Sequence, residues 1–176
     1  MAGGANVPIR GRVWVFGEGI NTDLIQPMQS IFKPLAEQPR WCMSANRPGW
    51  ADEVGQGDVL VAGHNFGTGS SRPGARVLRD LGIGCLLAES INGLFFRNCV
   101  NFALPALEVP GVSELFAEPD EAEIDFAAAS VRNVRTGQTR QGEPWPDRLR
   151  TILEAGGLLP LLEAEGYVDL HAAKRG

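Results

Sequence analysis

Segment 58–109 alternates short apolar runs with stretches of helical character, and this alternation constrains the fold more than any other feature of the chain. Aliphatic residues dominate at 58–63, 83–88 and 104–109, which predicts three strands. Helices are predicted between them, at 73–81 and 93–103. Nearly continuous apolar strands are typical of a sheet that is covered on both faces. The chain of 176 residues is therefore expected to form a single α/β domain.

The rest of the chain is expected to add to this layer without forming a second domain. Four prolines fall between residues 24 and 50, so any helix there must be short, and 17–23 is predicted to be a loop. A turn is predicted at Thr136 and Gly137. The other predicted elements are a first strand at 12–16, antiparallel strands at 122–126 and 130–135, and helices at 148–155 and 158–165.

Composition excludes several classes of function. The formal net charge is −5, from 16 basic and 21 acidic residues, which argues against a nucleic-acid partner. No apolar stretch reaches the roughly 20 residues of a membrane helix, and the N-terminus has no secretory pattern. The three cysteines (Cys42, Cys85 and Cys99) lack metal-site spacing, and only two histidines are present. We therefore expect a cytoplasmic protein that holds no metal or cofactor itself.

The segment 63–72, which joins a predicted strand to a predicted helix, has the composition of an anion-binding loop. Its glycines allow sharp turns, the N–H groups at a helix N-terminus favour an anion, and Arg72 suits a carboxylate or phosphate. Ser70 or Ser71 is expected to cap the helix, with Pro73 in its first turn. P-loop, dinucleotide-binding and nucleophile-elbow motifs are all absent. An alternative is that this loop is a plain connection.

Taken in order along the chain, a series of short segments resembles the small subunit of isopropylmalate isomerase, a family of the aconitase superfamily. The resemblance covers residues 11 to 165 and is specific because the order of the segments is kept. The matching segments are 11–17, 21–25, 57–63, 65–72, 88–90, 95–98, 104–105 and 136–137.

The resemblance implies a swivelling β/β/α three-layer domain, equivalent to the last domain of aconitase. It implies a hydro-lyase of leucine biosynthesis that is active only with a large subunit, as a heterodimer or heterotetramer. That partner would carry a [4Fe–4S] cluster, and the active site would lie between the two subunits. The substrate would be a small hydroxy-dicarboxylic acid, which is dehydrated and then rehydrated on the neighbouring carbon.

The resemblance also implies roles for residues of the loop. Ser70 would be the catalytic base, acting as an alkoxide on a carbon-bound proton, and Arg72 would hold a substrate carboxylate. Ser71 would donate a hydrogen bond to the substrate or to the same anion. The other residues expected at the substrate are Gly69, Thr68, Asn65, Thr22 and Asp23.

Two departures from the family pattern leave alternatives open. Pro73 and Gly74 stand where the family has Glu-His, so a non-catalytic subunit that binds a dicarboxylate is one alternative. Residues 27–31 lack the arginine and tyrosine of a substrate-selecting loop, which keeps methylmalate, dimethylmalate and homoaconitate as alternative substrates. A stand-alone serine hydrolase is a further alternative, but the sequence shows no pair of a base and an orienting group to activate Ser70. The predicted division is a flexible arm at 1–10, the domain at 11–165 and a tail at 166–176.

Overall fold

The computed structural model describes residues 8–69 and 72–171, and these form seven strands, seven α-helices and two 3-10 helices. The strands are β1 (Ile9–Val15), β2 (Val59–Ala62), β3 (Cys85–Ala88), β4 (Ala106–Glu108), β5 (Glu121–Asp125), β6 (Ser130–Asn133) and β7 (Thr139–Gln141). The α-helices are α1 (Thr22–Ile25), α2 (Met28–Ile31), α3 (Trp50–Glu53), α4 (Gly74–Leu81), α5 (Gly93–Asn101), α6 (Asp147–Glu154) and α7 (Leu158–Ala164). The 3-10 helices span Gln38–Trp41 and Val112–Glu114.

All seven strands join one mixed sheet in the order β4-β3-β2-β1-β5-β6-β7. Strands β1 to β4 are parallel to one another, whereas β5, β6 and β7 run antiparallel to their neighbours. Strands β2 and β3 are buried along their whole length, as their uninterrupted apolar sequence predicts. The sheet is therefore an α/β layer that is extended on one side by an antiparallel ribbon.

Strand β1 holds the two halves of the sheet together because its two ends have different partners. Residues 9–12 pair antiparallel with β5, and residues 13–15 pair parallel with β2. At the changeover, a β-carbon on Gly11 would lie 2.1 Å from the carbonyl oxygen of Gly57. Only glycine allows the segment before β2 to approach β1 this closely.

The helices pack against one another beside a core that includes a cluster of aromatic rings. Trp50 is fully buried and makes edge-to-face contacts with Phe16 and Trp14, at ring-centroid distances of 5.1 and 6.1 Å. Phe66, in the loop between β2 and α4, forms a similar pair with Phe95 of α5 at a ring-centroid distance of 5.3 Å. The longest helix has nine residues, so no helix of the described segments is long enough to cross a bilayer.

The predicted order of strands and helices is confirmed, with boundary differences and two omissions. Strand β7 was not predicted, and α1 begins at Thr22 within a segment predicted as loop. Helices between residues 24 and 50 are short, as expected: α2 and the first 3-10 helix have four residues each. Strand β1 begins at Ile9, three residues before the predicted start of the first strand. The predicted serine cap is wrong, because Pro73 is the N-cap of α4.

Asp120 joins the antiparallel ribbon to β1 and is a buried ionised group. Its carboxylate accepts hydrogen bonds from Arg135 Nε at 2.5 Å, Asn133 Nδ2 at 2.7 Å and the Ala117 N–H at 3.0 Å. Its carbonyl accepts from the Val13 N–H at 2.8 Å. The Arg135 guanidinium, helped by the Ala117 N–H, holds the pKa of Asp120 well below its usual range.

Because the pKa of Asp120 is lower in the folded chain, its contribution to stability is complete above the unfolded pKa of about 3.9 and is lost as the pH falls. We expect Asp120→Asn to lower the free energy of unfolding at pH 7 and to flatten its decline below about pH 4. Urea unfolding at a series of pH values measures both effects. Asp125→Asn, at an exposed position, is the control, and equal acid dependence in Asp120→Asn and the wild type would contradict the assignment.

Candidate active site

The loop between β2 and α4 has a backbone that few residues other than glycine can adopt. Gly67 and Gly69 have φ values of 80° and 110°, in the left-handed region. A β-carbon on Gly67 would lie 2.2 Å from Cγ of Phe95, so the backbone rests directly on the buried ring. The glycine pattern of the sequence thus reflects both turning and close packing.

This loop is bound along its length to the segment that follows β1. The N–H groups of Gly19, Gly67 and Thr22 donate to the carbonyls of His64, Ile20 and Thr68, at 2.8, 2.7 and 2.8 Å. The pairing with Thr68 continues at the preceding residue through a parallel bridge between Asn21 and Thr68. The structure therefore brings together Thr22 and Thr68, which are distant in sequence and were both predicted as site residues.

Asn21 fixes the start of helix α1, which carries Thr22 and Asp23. Its side-chain oxygen accepts a hydrogen bond from the Leu24 N–H at 2.9 Å and so caps α1. Thr22 and Asp23 then lie in the first turn of this short helix, with Thr22 buried and Asp23 exposed.

Arg72 lies between α1 and α4 and is held by two oxygens. Its Nη1 is 2.5 Å from Oδ1 of Asp23 and donates to the Gln26 carbonyl at 2.9 Å. The Arg72 side chain is only 15% exposed, whereas that of Asp23 is 67% exposed. One largely buried guanidinium is therefore fixed near the N-terminus of α4, with the exposed Asp23 carboxylate beside it.

A buried hydroxyl lies under the loop at Gly69. Thr22 is 2% exposed, and its Oγ1 would be 3.0 Å from a β-carbon built on Gly69. Within residues 8–69 and 72–171, Thr22 Oγ1 has no hydrogen-bond partner, and neither does Oε1 of buried Gln26. Burying a hydroxyl without a hydrogen bond costs folding free energy. Among the described residues, no hydrogen bond to Thr22 Oγ1 offsets that cost.

The other predicted residues have different positions. Ser70 and Ser71 lie outside the described residues. Asn65 is exposed with φ 61°, and its N–H donates to Ser90 Oγ at 2.9 Å, apart from the Thr22–Arg72 contacts. Sequence reasoning missed Gln26, whose part in holding Arg72 is a backbone carbonyl and thus has no residue signature.

A cavity of about 400 Å³ elsewhere on the chain does not suit an acidic substrate. Glu89, Glu108 and Glu143 line it. Burial raises the pKa of Glu89, but hydrogen bonds from the Ser113 hydroxyl and from the N–H groups of Ser113 and Gly111 outweigh this and hold the pKa below its usual range. Like charges repel a dicarboxylate, so this cavity is not its binding site.

The described part of the chain has no group of three or more His, Cys, Asp or Glu side chains placed to hold a metal ion. Cys42, Cys85 and Cys99 are free thiols and are all buried. Burial raises the pKa of each thiol, which disfavours the thiolate that a cluster requires. These residues do not fit an iron–sulfur site.

Comparison with known proteins extends this description. Residues 36–111 match the family model of the aconitase C-terminal domain. The isopropylmalate/citramalate isomerase small subunit of Methanocaldococcus jannaschii is 40% identical over 157 residues, which covers 88% of this chain and 94% of the relative. The 3-isopropylmalate dehydratase small subunit 1 of Methanopyrus kandleri is 41% identical over 160 residues, covering 90% and 94%.

A solved structure agrees with the sequence relatives. The crystal structure of a 3-isopropylmalate dehydratase (leuD) from Methanocaldococcus jannaschii matches with a TM-score of 0.85 and 31% identity, over 97% of this chain and 100% of the other. The predicted aconitase-like swivelling fold is thereby confirmed. Identity and coverage of this extent show that the chain belongs to the small-subunit family of 3-isopropylmalate dehydratase, in the aconitase superfamily.

Proposed function

We propose that this chain is the small subunit of a hydro-lyase that dehydrates and rehydrates a hydroxy-dicarboxylic acid of the isopropylmalate type, working with an iron–sulfur large subunit. The observation that carries the proposal is Arg72. Its guanidinium is held between Asp23 and the Gln26 carbonyl, beside the N-terminus of α4, in a chain of this family. A guanidinium fixed in this way is a two-pronged donor that suits a substrate carboxylate.

The proposed chemistry of this chain is proton transfer beside a bound carboxylate. Arg72 binds a carboxylate of the substrate and fixes the neighbouring carbon. Ser70, two residues earlier, accepts the proton from that carbon, and its negative oxygen is stabilised by backbone N–H groups, the helix dipole and Arg72. Ser71 donates a hydrogen bond to the substrate or to the same anion. Gly69, Thr68 and Asp23 form the surface that the substrate meets, and buried Thr22 supports it from beneath Gly69.

The small-subunit names of the relatives imply a large partner. We assign the [4Fe–4S] cluster to that partner, where its iron supplies Lewis-acid assistance for the departing hydroxyl. The buried thiols of this chain support the assignment, because the described residues contain no group of three ligands placed for a metal and burial raises the pKa of each thiol. Free thiols throughout also fit a reducing cytoplasm, which we propose as the location.

A second candidate substrate is a methyl-substituted malate. In place of the arginine and tyrosine of the family loop, this chain has the short helix α2 (Met28–Ile31), which contains neither residue. One relative is named for citramalate as well as isopropylmalate. Comparing kcat/KM for isopropylmalate and citramalate with the assembled enzyme decides between them.

The change to Pro73 and Gly74 does not break the helix of the site. Helix α4 runs over eight residues with Pro73 as its N-cap. A β-carbon on Gly74 would lie 3.0 Å from Cγ2 of Ile25 and 3.1 Å from Cε2 of Phe95, so glycine lets α1 approach α4. This packing supports an active subunit over a non-catalytic binding protein, because the helix and its arginine keep their place.

The first test is substitution of the proposed base and the carboxylate ligand in the complex with a large subunit under anaerobic conditions. We expect Ser70→Ala to lower kcat by about 10²- to 10⁴-fold, the range for loss of a general base. Arg72→Lys should raise KM and also lower kcat, because one point charge replaces a two-pronged donor. Arg132→Lys, at an exposed position of β6, is the control. Near-normal turnover in Ser70→Ala would remove Ser70 from its role.

The second test concerns the ion pair between Asp23 and Arg72. Asp23→Asn keeps the shape of the side chain but removes the charge that orients the guanidinium. We expect kcat/KM to fall about tenfold, the lower end for a charged hydrogen bond, since Asp23 is well exposed. Asp52→Asn on α3 is the matched control. An unchanged kcat/KM in the Asp23 variant would show that Arg72 is oriented without it.

The third test asks which subunit holds the iron. We expect the isolated chain to show no alkylation by iodoacetamide when folded and three adducts in denaturant, because all three thiols are buried and protonated. Mass spectrometry counts the adducts. Reconstitution with iron and sulfide should load the complex but not the isolated chain, and a stoichiometric cluster on the isolated chain would contradict the assignment.

A further inference from the structure

Five exposed apolar side chains, here called the apolar patch, are concentrated in the segment between α1 and α3. The patch consists of Met28, Ile31, Phe32, Leu35 and Trp41, which are 54%, 38%, 82%, 67% and 37% exposed. These are five of the ten exposed large apolar side chains of the described residues, and they fall within one stretch of 14 residues. A concentration of this kind marks a contact surface more often than single exposed apolar residues do.

The segment that carries the apolar patch is fixed to the domain by a buried amide. Gln38, 5% exposed, accepts from Arg76 Nη2 of α4 at 2.6 Å and from Gln26 Nε2 at 3.2 Å, and it donates to the Lys33 carbonyl at 3.0 Å. At its start, Ser30 Oγ donates to the Pro27 carbonyl at 2.8 Å. These hydrogen bonds fix the segment to the rest of the domain. The apolar side chains are therefore exposed in the folded structure.

The apolar patch borders the candidate active site. Gln26 lies two residues before Met28, and its carbonyl binds Arg72. Arg76, which holds Gln38, is one helical turn beyond Arg72. A protein that closes over Arg72 from this side would therefore also cover the patch.

We propose that the apolar patch is the docking surface for the iron–sulfur large subunit, an inference that rests on the proposed function. The described residues offer a carboxylate-binding guanidinium but no metal-binding group, so the active site needs a second protein beside Arg72. The relatives are named as small subunits, which implies such a partner. A second copy of this chain on the same face would cover Arg72 and bring no cluster.

The composition of the surrounding segment fits this occupant. Lys33, Glu37 and Arg40 are exposed between the apolar side chains and carry charges of both signs. An apolar centre within a polar rim of mixed charge is typical of a specific protein interface. A membrane surface would favour a rim of basic residues only. Phe32 and Leu35 are the two most exposed members of the patch and are the best positions for a test.

The experiment measures assembly, separately from activity. The full chain and the double variant Phe32→Ser/Leu35→Ser are titrated with the purified large subunit, and the dissociation constant is measured by analytical ultracentrifugation. We expect the double variant to bind at least about tenfold more weakly, as for the loss of an interface anchor. The control is Leu159→Ser/Tyr167→Ser, which removes side chains 53% and 75% exposed near the C-terminal end of the described chain, and it should bind as the wild type does.

The outcomes separate this inference from the proposed function. A wild-type chain that binds no large subunit and yields no activity contradicts the proposed function and this inference with it. Equal binding by the wild type and the double variant overturns the docking surface and leaves the proposed function standing. Normal binding with a raised KM would mean that the patch covers substrate, and loss of self-association alone would mean that it covers a second copy. Both results overturn the proposal.

A measurement without substitution guards against a variant that fails to fold. Hydrogen exchange of the wild-type chain is compared with and without the large subunit. We expect peptides spanning residues 28–41 to gain protection in the complex, with peptides from β6 and β7 unchanged. The absence of added protection at 28–41 in an assembled complex overturns the docking surface.

Discussion

The split pairing of β1 is the constraint on which the rest of the structure depends. One strand pairs antiparallel with β5 at its start and parallel with β2 at its end, so the ribbon and the α/β layer share a single backbone. Asp58 reinforces the junction, because its carboxylate accepts hydrogen bonds from Trp14 Nε1 at 2.7 Å and the Gly55 N–H at 2.9 Å. The segment that leaves β1 is thereby directed toward the loop that leaves β2, and these two segments build the candidate active site.

The candidate active site is built mainly by contacts between backbone segments. Four main-chain hydrogen bonds, including one from the Gly63 N–H to the Gly17 carbonyl, join the segment after β1 to the loop after β2, and Gly67 rests on Phe95. On this frame, Arg72 is tied to α1 through Asp23 and to the residue after α1 through the Gln26 carbonyl. Main-chain hydrogen bonds thus position the loop, and one carboxylate and one carbonyl fix the guanidinium that it carries.

The parts of the fold that the sequence predicts are those in which a local pattern determines the structure. Strands β2 and β3 are recognisable because four consecutive buried residues need four apolar side chains. Strand β7 is not, because Thr139 to Gln141 is polar and largely exposed and pairs only with β6. Helix α1 is hidden because Asn21 and Asp23 are typical of turns as well as of helix caps. The loop 63–72 and its arginine were predicted, but the pairing of Asp23 with Arg72 joins residues 49 positions apart, and no local pattern encodes it.

Gln26 connects two surfaces that would otherwise be independent. Its carbonyl binds the guanidinium of the site, and its side chain binds the amide that fixes the apolar segment. Thermodynamic linkage requires that such a connection act equally in both directions. If occupying the outer surface favours one orientation of Arg72, then a bound dicarboxylate must strengthen the hold on whatever occupies that surface by the same factor.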